Sequence, residues 1–528
     1  MIFNSPEFLF AFLPILGVVL FFIYKLRLFN LVIPILLLSS IVFYLFSGYL
    51  FTLVLGISIL INFFIGRQIK GPRDKTSKRW LYFGVAFNLL YLSSFKYLSL
   101  SNVLMGFFGN EQFIATLPLG ISFYTFTQIG FLIDQFQGSK KETKIINYSF
   151  FVTFFPSVTS GPILEFDSIR GQIIKLKEKV FNIDLFTRGF CLLLIGLFKK
   201  VILAAYAATI SNAVYSAIDG KVLINSLEAW LGAISYSLQL YFDFSGYTDI
   251  AIGIGWMIGI NLPWNFNSPY KASNIVEFWR RWHMSLSNWL NNYIFEPINY
   301  SITKKVKNTS FSKNAGLIGY LVGTLLTMSL CGLWHGATSN FILWGLFHVV
   351  LIFINRFWNI FFSYRNNSGT SKGIKAINLL GNRLLTFIFV TFSWVLFRSI
   401  DFDSTMGMWK AMVGINGIYV PEILLNKFDA LGSFPFSSNK NYLFTESIQT
   451  IFFILSLLLA IVFLLPNSKE IMTNSCSELK IPVVKKVAKI LKLDNGWNPS
   501  ISWIILMSIM LIALFTWSKV PDFLYFNF

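Results

Sequence analysis

Ionisable side chains are scarce in this chain, and histidine and cysteine are the scarcest of those that do chemistry. Of 528 residues only 13% are Asp, Glu, Lys or Arg, and there are three histidines and three cysteines. So little charge beside 55% hydrophobic and 18% aromatic residues, with a mean hydropathy of +0.63, excludes a soluble globular domain. Cys191, Cys331 and Cys476 show no paired spacing, so neither a disulfide framework nor a cysteine metal site is expected. A basic n-region and a small-residue cleavage site are missing from the first apolar stretch, which is therefore expected to stay as a helix. There are also no clear duplicated halves of the kind common in transporters.

What is present is a succession of apolar stretches. Thirteen of them recur from 8–24 to 501–517, several shorter than a full span, against the roughly 20 residues needed to cross a bilayer core. An all-α polytopic membrane protein is the fold this predicts, with some helices tilted or re-entrant. The excess of 43 Lys and Arg over 24 Asp and Glu gives +19, and it lies in short loops between spans. Residues 67–79 hold six basic residues and one acid, 356–383 hold five and none, and 469–492 hold six and two. Lys304, Lys305, Lys307 and Lys313 make a further basic loop. By contrast, 401–446 holds three basic and five acidic residues. This is the asymmetry of the positive-inside bias, not a nucleic-acid surface. With Lys25 and Arg27 closing the first helix, it places both termini outside.

Two of the three histidines, His335 and His348, fall inside the apolar run MSLCGLWHGATSNFILWGLFH at 328–348. An imidazole at membrane depth is costly and is a functional candidate by default. His335 sits in GLWHGA, where Gly332 and Gly336 allow a bend and a close approach. The alternative is a histidine hydrogen-bonded to a neighbouring helix. Cys331 lies four residues before His335, on one helical face with it, although free cysteine is commonly just buried.

Other stretches carry chemistry too. FFPSVTSGPILEF at 154–166 breaks an apolar run too short to cross, which predicts a buried re-entrant element over 154–163. YFDFSGYTD puts Asp243 and Asp249 in an apolar region. One of them could orient a histidine, or both could bond backbone amides at a helix break. In IVEFWRRWHMSLSNWLNNYIF, residues 275–295, the aromatic positions recur at spacings of three and four. That pattern predicts an amphipathic helix at the cytoplasmic interface. It is either an anchor or, with Arg280, Arg281 and His283, the lip of a funnel that draws in a polyanionic donor.

The runs PLGISFYTFTQIGFLID, FFPSVTSGPI, YFDFSGYTDIAIG, NFNSPY, EFWRRWHMSLSNWL, LWHGATSNFILWGLFH and the terminal FLYFNF, in that order from Pro118 to Phe528, resemble the membrane-bound O-acyltransferase family. The resemblance is to its bacterial branch that acetylates alginate and other cell-envelope polymers. It implies a bundle of about 11–13 transmembrane helices with re-entrant elements around a central chamber, each span needing roughly 20 residues. The implied divisions are N-terminal scaffold helices 1–112, a core 113–400, an extracytoplasmic loop 401–446 and C-terminal helices with an aromatic motif 447–528.

For the site, the resemblance implies that His335 is catalytic, with His283 the other characteristic polar position. Arg280, Arg281, Trp334 and Asp243 are expected to contact substrate, and no metal or bound cofactor is expected. Tyr525 in the tail matches an F-x-Y-x-x-F pattern of the polymer-acylating branch, and the implied role is an acyl relay. The alternative for that tail is an aromatic belt at the headgroups. Expected partners are acetyl-CoA as donor, an extracytoplasmic SGNH or esterase-like acetyltransferase, a cell-envelope polysaccharide acceptor and membrane lipids, with no nucleic acid. The expected location is the bacterial cytoplasmic membrane. Competing readings are a D-alanyl, lipid or protein acyltransferase, a transporter using the buried polar groups, and a catalytically silent scaffold.

Overall fold

A computed structural model describes residues 1–97, 117–138, 144–176, 182–336, 338–362, 372–417, 447–473 and 501–516. Among the described residues there are helices and no strands. Backbone amides in lipid have no water to bond, so a spanning segment must satisfy them internally, and a helix does so with its own residues. Six helices among the described residues are long and apolar enough to cross a membrane: 7–25, 49–68, 183–219, 312–335, 339–361 and 377–398. Three shorter apolar helices, 29–45, 448–464 and 503–514, accompany them. The protein is an all-α, multi-pass membrane protein.

The chain forms two compact units, Met1–Leu197 with Tyr247–Asn265, and Phe198–Gly246 with Phe266–Phe528. In the first unit, buried amides tie helices together where apolar packing alone would leave register loose. Asn62 and Asn88, both buried, exchange hydrogen bonds between helices Tyr49–Gln68 and Lys75–Lys96. Asn88 Nδ2 donates at 2.6 Å and Asn62 Nδ2 returns at 3.2 Å. Gln128 Nε2 donates to Ser58 Oγ at 2.9 Å, while the Tyr148 hydroxyl donates to Gln128 Oε1 at 3.2 Å. Such interhelical bonds do in lipid what the hydrophobic effect cannot do there.

Residues 154–164 are buried throughout and hold one short helix, Phe155–Val158. This is the broken, buried element expected from the proline and glycine pattern. The Phe155 amide donates to Ser40 Oγ at 3.2 Å. Gly120, at φ +71°, lies so close that a Cβ would stand 1.9 Å from the Val158 carbonyl oxygen. Only glycine combines that left-handed backbone with that approach.

The second unit contains every described residue of the expected site. Helices Ala315–His335 and Ser339–Phe362 pack as a hairpin, and Lys372–Arg398 packs on the second of them. The end of Ser226–Ile258 that belongs to this unit packs on Lys372–Arg398 through Ser237 to Thr391 and Trp230 to Phe392.

Candidate functional site

Helix Ala315–His335 stops at His335 because Gly336 is fully extended, with φ −174° and ψ 169°. The hairpin partner then comes back at very short range. A Cβ on Gly332 would lie 2.3 Å from the Phe341 carbonyl oxygen, and one on Gly345 would lie 2.4 Å from that of Met328. Small residues allow such backbone contact between membrane helices. The contact delivers Phe341 and Trp344 onto the imidazole, with ring centroids 6.4 and 5.1 Å from that of His335. Trp334 at 4.6 Å and Phe397 at 4.9 Å close two further sides. His335 is left 5% exposed. An imidazole is thus enclosed by aromatic rings, in surroundings where fixed electrostatic interactions are stronger than in water.

His283 reaches the same region from another element. The 275–295 segment, expected as one interfacial helix, is instead broken: helix Ile275–Trp279, then His283 at φ 43° and ψ 53°, then helix Met284–Leu290. Of its apolar positions, Phe278, Trp282, Leu286 and Trp289 are buried. Periodicity correctly marked an apolar face, but that face packs on protein. A left-handed conformation is uncommon for a residue with a Cβ and clusters at functional sites. It turns His283 edge-on to Phe244, 4.7 Å between centroids at 89°, and to within 6.3 Å of Trp334. Trp334 therefore has ring contacts with both imidazoles. Burial pushes the pKa of His283 down to about 3, so it is neutral at physiological pH.

The two arginines separate. Arg280 is exposed. Arg281 is half-buried and committed: Nη2 meets Glu277 Oε1 at 2.7 Å and Nη1 donates to the Asn267 carbonyl at 3.2 Å. Burial opposes ionisation of Glu277, but bonds from Ser273 and Arg281 outweigh it and hold the carboxyl below its usual range.

Asp243, also expected at the site, is buried with Lys200, whose Nζ stands 2.5 Å from Asp243 Oδ1. Lys200 escaped the sequence reading, although a lysine within the apolar helical run 183–219 was the available signal. Asp249 falls in the other unit. His348 is fully buried and bonded on both ring nitrogens, to Trp279 and Ser393. Cys331 is buried as well. Tyr525 lies outside the described residues.

Comparison with known proteins adds a second, independent line. Residues 90–397 match the model of the MBOAT, membrane-bound O-acyltransferase family. A peptidoglycan O-acetyltransferase of Helicobacter pylori is 32% identical, with the alignment covering 100% of this chain and 98% of that protein. A probable alginate O-acetylase of Azotobacter vinelandii is 36% identical over 78% of each chain. A teichoic acid D-alanyltransferase of Bacillus subtilis is 33% identical over 54% of this chain and 69% of its own length. The matched span contains His283, His335 and the rings around them.

Proposed function

Since the chain belongs to the membrane-bound O-acyltransferase family and is an O-acyltransferase, we propose that it moves an acetyl group from cytoplasmic acetyl-CoA to the outside for O-acetylation of a cell-envelope polysaccharide. The observation that carries this reading is the enclosure of His335 by Trp334, Phe341, Trp344 and Phe397 at the end of a span. His335 takes the proton of an acceptor hydroxyl while the oxygen attacks the thioester carbon. The C–S bond then breaks, and the proton passes to the leaving thiolate. Positioned proton transfer of this kind is typically worth about 10²- to 10⁴-fold. A thiol, with a pKa of about 8.5, leaves readily enough for a fixed imidazole to serve. Neutral His283, which also contacts Trp334, hydrogen-bonds the carbonyl oxygen.

Arg280 and Arg281 favour the donor's phosphates. Arg280 takes the larger share because the Arg281 guanidinium is already held by Glu277. Tyr525 is the acceptor in the first step and hands the acetyl group to a serine of an extracytoplasmic esterase-like partner, since a phenyl ester releases its acyl group more easily than an alkyl one. The setting is the bacterial inner membrane.

Peptidoglycan is the favoured polymer because the Helicobacter protein aligns along the whole chain, where the alginate proteins align over 78–80% of it. The test compares cells carrying wild-type, His335→Ala and Tyr525→Phe proteins at matched abundance. Base-releasable acetate is measured separately in purified sacculi and in secreted polysaccharide. Loss from the sacculi with both variants is expected. Loss from the secreted fraction alone moves the acceptor to an exopolysaccharide, and unchanged acetate in both fractions removes the catalytic assignment.

A further inference from the structure

His348 is fully buried in helix Ser339–Phe362, and the roles of its hydrogen bonds can be read without seeing a proton. An indole N–H only donates. Trp279 Nε1 lies 3.3 Å from His348 Nδ1, so Nδ1 presents its lone pair. The neutral ring then carries its hydrogen on Nε2, which stands 3.1 Å from Ser393 Oγ. The Ser393 hydroxyl hydrogen goes to the Val390 carbonyl at 2.7 Å, leaving Oγ to accept from the imidazole. Each bond fixes the direction of the next. The result is a one-way chain, Trp279 to His348 to Ser393 to Val390, across helices Ile275–Trp279, Ser339–Phe362 and Lys372–Arg398. A protonated ring would set N–H against N–H at Trp279.

Trp279, where this chain starts, and the rings that pack on His348 both matter to the site. Trp279 is adjacent to Arg280 and four residues before His283. Trp344, one turn before His348, packs its ring 4.9 Å from His348 and 5.1 Å from His335. Phe278 stacks parallel to the His348 ring, at 6.4 Å and 10°. His348 therefore contacts both the arm that carries His283 and the wall of His335. We infer that His348 is a positioning residue, held as the Nε2–H tautomer, that pins the segment bearing Arg280 and His283 to the hairpin bearing His335. This rests on the reading of His335 and His283 as the reacting pair. Misplacement of a reacting group by about 1 Å costs on the order of 10²-fold, which is why a residue outside the reaction would matter to its rate.

With three histidines in the chain, the full-length protein labelled with ¹⁵N-histidine in nanodiscs gives three imidazoles. They are assigned by His283→Asn, His335→Gln and His348→Gln in turn. The expected result is an Nε2–H tautomer for His348 and a changed Nδ1 resonance in Trp279→Phe. Polymer acetylation per unit protein should fall about ten- to a hundredfold in Trp279→Phe. His348→Gln, which retains a donor for Ser393, should keep more activity than His348→Leu, and Trp279→Phe supplies the answer if His348→Leu does not accumulate. An Nδ1–H or doubly protonated His348, or wild-type acetylation in Trp279→Phe, overturns the inference. Should His335→Gln leave acetylation intact while His348 keeps the expected tautomer, the acyl-transfer role of His335 fails and the hydrogen-bond chain stands.

Discussion

Asp243 was legible from sequence as a carboxylate in apolar surroundings, and Lys200 was not. A lysine at the end of LLLIGLFKK reads as a membrane-edge cation, yet it is 1% exposed and faces a carboxylate that is 3% exposed. What sequence hides is that the local π-turn Lys199–Leu203 carries it, since one inserted residue rotates a helix face and periodicity does not register it. Removing one partner of a buried pair leaves a charge that neither water nor protein compensates, at a cost of about 3–5 kcal/mol, whereas replacing both with apolar groups is often neutral. Lys200→Met and Asp243→Asn should therefore each lower the apparent melting temperature of the solubilised protein strongly. Lys200→Met combined with Asp243→Leu should recover most of the loss. A double variant whose loss equals the sum of two singles would mean that the pair is not coupled. The same contrast explains why sequence singles out His335 as a candidate: its signal is its type at that depth, which needs no knowledge of partners.

Helices were legible wherever composition alone decides them, and breaks were legible where proline or glycine marks them, as in FFPSVTSGPI. His283 shows the limit. EFWRRWHMSLSNWL keeps a helical spacing of aromatics straight through a residue at φ 43°, because tertiary packing of Phe278, Trp282 and Leu286 selects the break and local preference does not. The glycines of the hairpin can be tested at this scale. Gly332→Ala places a methyl 2.3 Å from the Phe341 carbonyl oxygen, backbone that can move only by parting the two helices. Overpacking typically costs about 1–3 kcal/mol, and here it also pulls Phe341 and Trp344 off His335. Gly316, on the same helix, has nothing within 4 Å of its would-be Cβ, so Gly316→Ala should be neutral or stabilise by about 0.5–1 kcal/mol. Melting temperature and polymer acetylation should both fall for Gly332→Ala and neither for Gly316→Ala. Equal behaviour of the two variants would show that the close approach is not what builds the enclosure.

At the scale of the whole chain, two of the three junctions between the units were not legible, and the third, at Asn265, falls in the polar stretch NLPWNFNSPYKA. The first unit ends at Leu197 and resumes at Tyr247, and both junctions fall at or inside helices, Ile183–Phe198 and Ser226–Ile258. No linker, charge run or composition shift marks either one. Orientation is another matter, because the charges that set it lie in the loops and can be counted. Six basic residues against one acid over 67–79 give that loop an expected cytoplasmic position under the positive-inside bias, and the acid-rich stretch beginning at Asp401 an expected position outside. Thr76 and Asp403 are both exposed, so each can report its own side. In a Cys476→Ser background, with Cys191 and Cys331 buried, a membrane-impermeant maleimide should label Asp403→Cys in intact cells. Thr76→Cys should react only after permeabilisation. This matters to the chemistry because Phe397 and Arg398 end the helix that leads to Asp401, so the same labelling fixes which face of the membrane lies nearest the ring that closes over His335. Labelling of Thr76→Cys in intact cells, with Asp403→Cys protected, would reverse the chain in the membrane and put the donor's route to His335 on the opposite face.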